Sequence, residues 1–334
     1  MIEWLTFSSK ALKGFPMGDP HERVFPVYLP PGYSRKRAEP YPVVFLLAGW
    51  SGRSSSYVND SSVFQIPLQA RLDQAIRGKK MPPVIVVFPD GASKLGGSQY
   101  VNSPAIGNYM DYIADELVEL IDDRYHTHRS ARYRGIAGHS SGGYGALVHG
   151  FLRPDRFQFV CSSAGDTYFE LSFAPAIIDA LNEIKKAGSI QKFISEISNS
   201  TQPPSGRKMN GLLMVSMAPI YAPNLKAAPL YGDLPFDLET GEMIEEVWKK
   251  YLKWDPVHLI DKTFKKAKAL KFIHLDAGLQ DEYALQWGHR QLAAKLKKYK
   301  IPHQLDEFVG THSGNHWRFE GRIQLMLTKM FSMK

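Results

Sequence analysis

The stretch from Tyr133 to Leu147, YRGIAGHSSGGYGAL, limits what this chain can fold into more than any other. Its centre, Gly138-His139-Ser140-Ser141-Gly142, has the form G-x-S-x-G, in which a strand turns abruptly into a helix and leaves a serine exposed on a strained backbone. The glycines have a steric reason to flank Ser140, because a side chain two residues before or after it would strike the neighbouring strand or helix. Five residues with three fixed positions recur by chance, so the context carries the reading. Tyr133 to Ala137 predicts a short strand, and Ser141 to Phe151 predicts a helix of small residues packed closely on a sheet. A plain Gly/Ser-rich loop would not be bracketed in that order.

At 334 residues the chain has room for one large α/β domain or two ordinary ones. A hydrophobic content of 44% with 22% charged residues suits a globular protein with a substantial core. The net charge of +8 is dispersed over small clusters such as Arg35-Lys36-Arg37, Lys249-Lys250 and Lys295 to Lys298. No aromatic-interleaved basic motif accompanies them, so they read as solvated helix faces and no nucleic-acid partner is expected. Cys161 is the only cysteine, which excludes an intrachain disulfide and a cysteine-rich metal site; its neighbours Phe159, Val160 and Ser162 suggest a buried strand. The first residues lack a basic segment followed by an apolar run, and no apolar run reaches the roughly 18 residues of a membrane span. The expectation is a cytoplasmic protein without a membrane partner; an oligomer remains possible.

Taken in order, Arg23 to Leu29 alternates like a strand and stops at the turn Pro30-Pro31-Gly32. Tyr41 to Leu47 and Val84 to Phe88 are continuously apolar, as central strands covered on both faces should be. Ala48-Gly49-Trp50-Ser51-Gly52 follows the first of these, at a strand's carboxyl end, where open α/β sheets bind ligands. Ser61 to Ile76 reads as a helix divided or kinked at Pro67, and Ser93 to Pro104 as a Gly/Ser-rich loop carrying Tyr100. Asn108 to Tyr125 reads as an amphipathic helix whose acids form its solvated face. After a strand from Phe157 to Ser163 the βα rhythm breaks. From about 166 to 262 the sequence predicts helices at Ala174 to Lys186, Ile190 to Ile197 and Thr240 to Leu252, a polar loop at Ser198 to Lys208 and an apolar run at Leu212 to Met217. This is expected to be a cap-like insertion within a single domain spanning 1–334. The rhythm resumes with Leu270 to Leu275, a helix to about Lys298, a strand near Gln304 to Phe308 and a closing helix from Arg318 to Met330. The pattern predicts a parallel sheet between helices.

A serine hydroxyl needs a histidine to take its proton and an acid to orient that histidine. With the nucleophile on a strand-to-helix elbow, the partners follow in the order acid, then histidine, on loops after late strands. Asp276, Asp281 and Glu282 lie after the penultimate strand. Asp276 sits at the strand's very end, so Asp281 is preferred, with a helix N-cap as its alternative role. His312 and His316 lie after the last strand, and His312, nearer the strand end, is preferred as base over its rival. His139 points away from its neighbour Ser140 and suits a packing or pocket-lining role. The oxyanion needs two aimed backbone N–H groups: one from Ser141, the other most plausibly from Trp50. Trp50, Tyr100, His139 and Trp248 are candidates for lining the substrate pocket. No H-E-x-x-H motif, cysteine pair or acidic triplet suggests a metal, and no cofactor is expected.

These residues resemble the esterase family of the α/β-hydrolase fold, which includes S-formylglutathione hydrolases, feruloyl and acetyl-xylan esterases, enterochelin esterases and mycolyltransferases. The likeness rests on Gly138 to Leu147, Val27-Tyr28-Leu29-Pro30-Pro31-Gly32-Tyr33, Phe88-Pro89-Asp90-Gly91, Asp276 to Glu282 and Glu307 to His312, and it runs from about residue 20 to the C-terminus. It implies an α/β-hydrolase fold with a helical cap, an acid at Asp281, a base at His312 and an oxyanion donor at Trp50. The elbow reads Ser-Ser-Gly-Gly where S-formylglutathione hydrolases usually carry Ser-Met-Gly-Gly, and residues 48–52 lack the cysteine-containing segment of that branch. The expected function is a serine carboxylic-ester hydrolase acting on a small-molecule ester through an acyl-enzyme. Acyl transfer or thioester hydrolysis would use the same residues, and a ligand-binding protein without catalysis is the rival from another class.

Overall fold

The computed structural model describes residues 1–59 and 66–332. Eight strands make the central sheet: β1 (Ile2–Ser8), β2 (Glu22–Tyr28), β3 (Val43–Leu47), β4 (Ile85–Val87), β5 (Arg134–His139), β6 (Phe159–Ser163), β7 (Phe272–Gly278) and β8 (His303–Phe308). They lie in the order β1-β2-β4-β3-β5-β6-β7-β8. The first two pairings, β1 with β2 and β2 with β4, are antiparallel, and every later pairing is parallel.

The continuous apolar runs have the cause expected of them. In β3, Val43, Phe45 and Leu47 face one core while Val44 and Leu46 face another. The first core receives Tyr144, Leu147 and Phe151 from helix α2 (Ser141–Leu152). The second receives Leu68 and Leu72 from α1 (Leu68–Arg77), and Phe319, Ile323 and Met326 from the closing helix Phe319–Ser332. Helices therefore cover both faces of a mostly parallel sheet.

Some boundaries differ from the sequence expectation. Helix α1 starts only at Leu68, with Pro67 at its N-cap; the start expected at Ser61 lies outside the described residues. The helix after Asn108 is continuous through Arg124 but passes through a π-helical stretch, Tyr112–Leu117. Its acids are not merely solvated: Asp115 pairs with Arg153 and Arg156, and Glu116 accepts the N–H groups of Lys10 and Ala11.

Between β6 and β7 lie α3 (Ala174–Ala187), α4 (Ile190–Ser198), α5 (Gly206–Tyr221), α6 (Glu245–Leu252) and α7 (Pro256–Ala267). The apolar run at Leu212 to Met217 is the buried middle of α5. Helix α6 begins five residues later than predicted, because Asp237 holds the N–H groups of Glu239 and Thr240 in a turn. The segment has no core of its own. Phe193, Leu212, Val215, Tyr221 and Tyr251 belong to the same apolar cluster as Phe45, Ile136 and Val160 of the sheet.

Candidate active site

The carboxyl ends of the central strands meet at one edge of the sheet. Leu47 pairs with Gly138, His139 with Ser163, and Ser163 with Asp276. There β5 turns into α2 through Ser140, whose φ of 56° and ψ of −129° lie outside the regions ordinary residues adopt. Such a conformation costs on the order of 1–3 kcal/mol and survives only where its surroundings enforce it. The enforcement is steric and hydrogen-bonded. A Cβ on Gly142 would lie 2.2 Å from the Leu47 carbonyl oxygen, and one on Gly138 would lie 2.3 Å from Gly142. The Ser140 N–H donates to the Ser163 carbonyl at 2.9 Å, tying the turn to β6.

His312 Nε2 lies 3.0 Å from Ser140 Oγ, and His312 Nδ1 lies 2.9 Å from Asp281 Oδ2. The side chain of Asp281 is fully buried. Its loop is zipped to the histidine's: Leu279 N–H donates to Phe308 O at 2.8 Å and Gln280 N–H to Gly310 O at 3.0 Å. A side chain on Gly278 would put its Cβ 2.3 Å from the Gly310 oxygen, so the close approach requires glycine. Asp281 also accepts the Tyr283 N–H through Oδ1 at 2.9 Å, while Ala284 is the N-cap of helix α8 (Leu285–Lys298). The capping alternative for Asp281 is thus replaced by a tight turn that leaves Oδ2 for the imidazole. Two further residues hold the histidine loop: Glu282, the third acid candidate, accepts the His312 N–H at 2.8 Å, and Asn315, not singled out in the sequence, donates to Thr311 O at 2.8 Å.

Asp276 and His316 have other duties. Asp276 is buried against Arg322, whose Nη2 donates to it at 2.7 Å; burial works to raise the Asp276 carboxyl, but the guanidinium outweighs it and holds the group below its usual range. His316 sits against Phe319, with its carbonyl taken by Arg71, and burial and Arg71 lower its basicity. His139 lies beside His312, ring centroids 4.7 Å apart, and burial followed by the neighbouring His312 pushes it down to about 3. It stays neutral there, which spares a protonated His312 a second charge at close range.

The Ser141 N–H opens helix α2, where the first N–H groups have no intrahelical acceptor and sit at the positive end of the helix dipole. Gly49 packs against the elbow, a Cβ there reaching 3.4 Å from that of Ser140, which places Trp50 one residue from that contact. The Trp50 indole is anchored by an N–H bond to Ser216 Oγ at 3.0 Å and lies on Gly96 and Gly97, leaving no room for side chains.

A cavity of about 300 Å³ opens over Ser140. Trp50 and His139 line it together with Ser141, Phe173, Met209, Leu213, Tyr283 and Leu285. Tyr100 and Trp248 do not. Tyr100 is buried between Gly91 and Gly145 and donates its hydroxyl to Ala48 O at 2.7 Å, so it braces the β3 loop from behind. Trp248 packs on Tyr251, ring centroids 5.7 Å apart, away from the opening. The sequence reading also missed Asp166, buried in the cavity wall, where its Oδ2 accepts from Ser141 Oγ at 2.9 Å and Gln99 Nε2 at 3.0 Å. Its place at the end of β6, beside the elbow strand, was the available signal.

One cluster of donors lies elsewhere: Glu170, Asp255 and His258. Asp255 already accepts the N–H groups of Tyr168, Phe169 and Val257, and His258 Nε2 is 2.8 Å from Glu170, so these groups serve as a helix cap and a hydrogen-bonded surface pair. Among the described residues no helix is long and apolar enough to cross a membrane.

Behind the site, His289 Nε2 accepts the Gly165 N–H at 3.1 Å, and burial pushes this histidine down to about 4. The unfolded chain binds a proton at His289 below about pH 6.5 while the folded chain does not, so this group's stabilisation is lost as the pH falls toward 4. Asp255, raised to about 6 by burial, acts in the opposite direction over much of that window. The difference between proteins isolates the histidine. His289→Gln is expected to flatten the acid-side slope of unfolding free energy against pH by up to about 1.4 kcal/mol per pH unit. Urea unfolding from pH 4.5 to 6.5 measures it, and an unchanged slope would place the proton elsewhere.

Sheet order, elbow and cavity together define an α/β-hydrolase. Residues 20–320 match the model of the Esterase family, described as "Putative esterase". The chain belongs to this family. A curated relative, the endo-1,4-beta-xylanase/feruloyl esterase of Xylanibacter ruminicola, is 28% identical over 149 residues, which are 42% of this chain but only 19% of that protein's length. Among solved structures, a ferulic acid esterase superposes with a TM-score of 0.62 at 17% identity, covering 99% of this chain and 98% of that one. The S-formylglutathione hydrolase of Staphylococcus aureus does so with 0.57 at 18% identity over the same shares. At these identities the structural likeness speaks for the fold.

Proposed function

We propose that the protein hydrolyses carboxylic esters of small molecules through an acyl-enzyme on Ser140. The observation that carries this reading is the unbroken line from Asp281 Oδ2 through His312 to Ser140 Oγ, with contacts of 2.9 and 3.0 Å. His312 takes the Ser140 proton as Oγ attacks the carbonyl carbon, then returns it to the departing alkoxide. Asp281 fixes the imidazole with Nδ1 protonated and stabilises the imidazolium. The N–H groups of Ser141 and Trp50 receive the oxyanion, a role that makes the Ser141 backbone the functional part of that residue. A water activated by His312 then releases the acid. The helical segment after β6 supplies one wall of the cavity through Phe173, Met209 and Leu213, and acts as a cap within one domain. Acyl transfer to an alcohol or thioester cleavage would run on the same groups.

Treatment with a fluorophosphonate, followed by peptide mass spectrometry, tests the nucleophile. A single adduct on the peptide containing Ser140, absent from Ser140→Ala, is expected; no adduct, or one elsewhere, would remove the proposal and favour a ligand-binding protein.

A further inference from the structure

One stretch, Gly96-Gly97-Ser98-Gln99-Tyr100, reaches both sides of the site from behind, and none of its residues lines the cavity. Gly96 and Gly97 form the bed of the Trp50 indole, where a Cβ on Gly96 would lie 2.5 Å from the ring. Tyr100 donates its hydroxyl to Ala48 O at 2.7 Å, at the base of the turn that carries Trp50. That turn is closed by the Gly52 N–H donating to Gly49 O at 2.9 Å. Gln99, one residue away, goes to the opposite side. Its Nε2 donates to Asp166 Oδ2 at 3.0 Å, and the same oxygen accepts the Ser141 hydroxyl at 2.9 Å.

The backbone here is strained. Gln99 and Tyr100 have φ of 53° and 57°, consecutive left-handed conformations in residues that carry full side chains. Such backbone is costly without glycine and persists only where its surroundings enforce it, most often where geometry serves function. The enforcement is steric. Both residues are buried, and the Tyr100 ring is wedged between Gly91 and Gly145, where added Cβ atoms would lie 2.2 and 2.6 Å from it. Gly145 belongs to α2, so the ring also presses on the helix that opens at Ser141. Glycine at either position would relax the backbone, but it would delete the side chain that makes the bond.

We propose that Gln99 and Tyr100 are positioning residues for the oxyanion: Gln99 fixes Ser141 through Asp166, and Tyr100 fixes the Trp50 turn through Ala48 O. This rests on the ester-hydrolase reading, in which the Ser141 and Trp50 N–H groups receive the oxyanion. Donors aimed in advance stabilise the charge that develops in the transition state without reorganising at the moment of reaction. Removing such a donor costs about a hundredfold or more in turnover, and loosening one is expected to cost about tenfold. Ground-state affinity comes from the apolar lining of the cavity, so the loss falls on kcat and spares KM.

Tyr100→Phe and Gln99→Met each delete one hydrogen bond and keep most of the bulk. Each is expected to lower kcat for p-nitrophenyl acetate about tenfold per site titrated with fluorophosphonate, with KM within about twofold. A second measurement separates aim from general damage. A trifluoromethyl alkyl ketone is attacked by Ser140 Oγ at its carbonyl carbon; the π pair moves to oxygen and the serine proton to His312. The alcohol made by reducing that ketone fills the same cavity and forms no adduct. In both variants Ki for the ketone is expected to rise about tenfold, in step with kcat/KM, while Ki for the alcohol stays within about twofold. Each variant tests its own donor, so if one fails to fold the other still decides. An unchanged kcat in a folded variant, or ketone and alcohol weakening together, would overturn the proposal. Failure of fluorophosphonate to label the wild-type protein, measured first, would instead strike the ester-hydrolase reading itself.

Discussion

Replacing Ser140 with alanine is expected to lower kcat for p-nitrophenyl acetate by on the order of a million-fold, with KM within a few-fold of wild type. The hydroxyl is the only group lost. Ser140 Oγ contacts His312 Nε2 at 3.0 Å, so on the proposed mechanism the substitution removes both the attacking atom and the proton that His312 takes. On the same mechanism the oxyanion donors, the Ser141 and Trp50 N–H groups, would remain and keep hydrolysis above the rate in water. Stability should hardly move, because alanine keeps the Cβ that sits in the positive-φ turn. Ser140→Gly makes a useful contrast: it should be equally inactive yet more stable by on the order of 1–3 kcal/mol, since glycine releases the strain. Steady-state kinetics and thermal unfolding on the two variants suffice. Residual activity above a tenth of wild type would mean that Ser140 is not the nucleophile.

The second large effect separates two buried aspartates that lie five residues apart. Asp281→Asn is expected to cost about ten-thousand-fold in kcat with little loss of stability, because an amide N–H facing His312 Nδ1 forces the wrong tautomer. Asp276→Asn should do the reverse. It leaves Arg322 with a neutral partner in a buried site, an expected loss of about 3–5 kcal/mol, while kcat per folded molecule stays within a few-fold. Active-site titration with fluorophosphonate gives the folded, competent fraction needed for that comparison. If both variants lost activity alike, the division between orienting acid and structural ion pair would be wrong.

The parts legible in the sequence were those where sterics admit few solutions. A serine between glycines, ahead of a small-residue helix, is one; the runs Tyr41 to Leu47 and Val84 to Phe88, buried on both faces, are another. Preference for Asp281 over Asp276 followed from distance past the strand end, and the structure supplies the reason: the last residues of β7 turn inward toward Arg322, while the loop beyond is stitched to the histidine's. Less legible were residues whose partners are remote in sequence. Tyr100 lies in a Gly/Ser-rich loop and reads as a ligand contact, but its hydroxyl finds Ala48 O, 52 residues away. Asp166 stands just past the end of β6, and only the fold reveals that Ser141 and Gln99 meet on it. Helix α5 is buried through most of its length, so it lacks the one-sided stripe that would have marked it.

The shared core described for the residues between β6 and β7 bears on how such a protein can be altered. Tyr221 of α5 packs edge-on or tilted against Tyr144 of the elbow helix, Phe169 and Tyr251 at centroid separations of 5.5 to 6.0 Å. Cutting out that segment would strip the covering from α2, and an aromatic surface would be laid bare beside the serine. This cavity wall is therefore not a cassette to be traded between relatives while the rest of the domain stays put. Chimeras joined after Ser163 and before Phe272 inherit a mismatch at Tyr144, and successful exchange would have to carry the elbow helix along with the wall that leans on it.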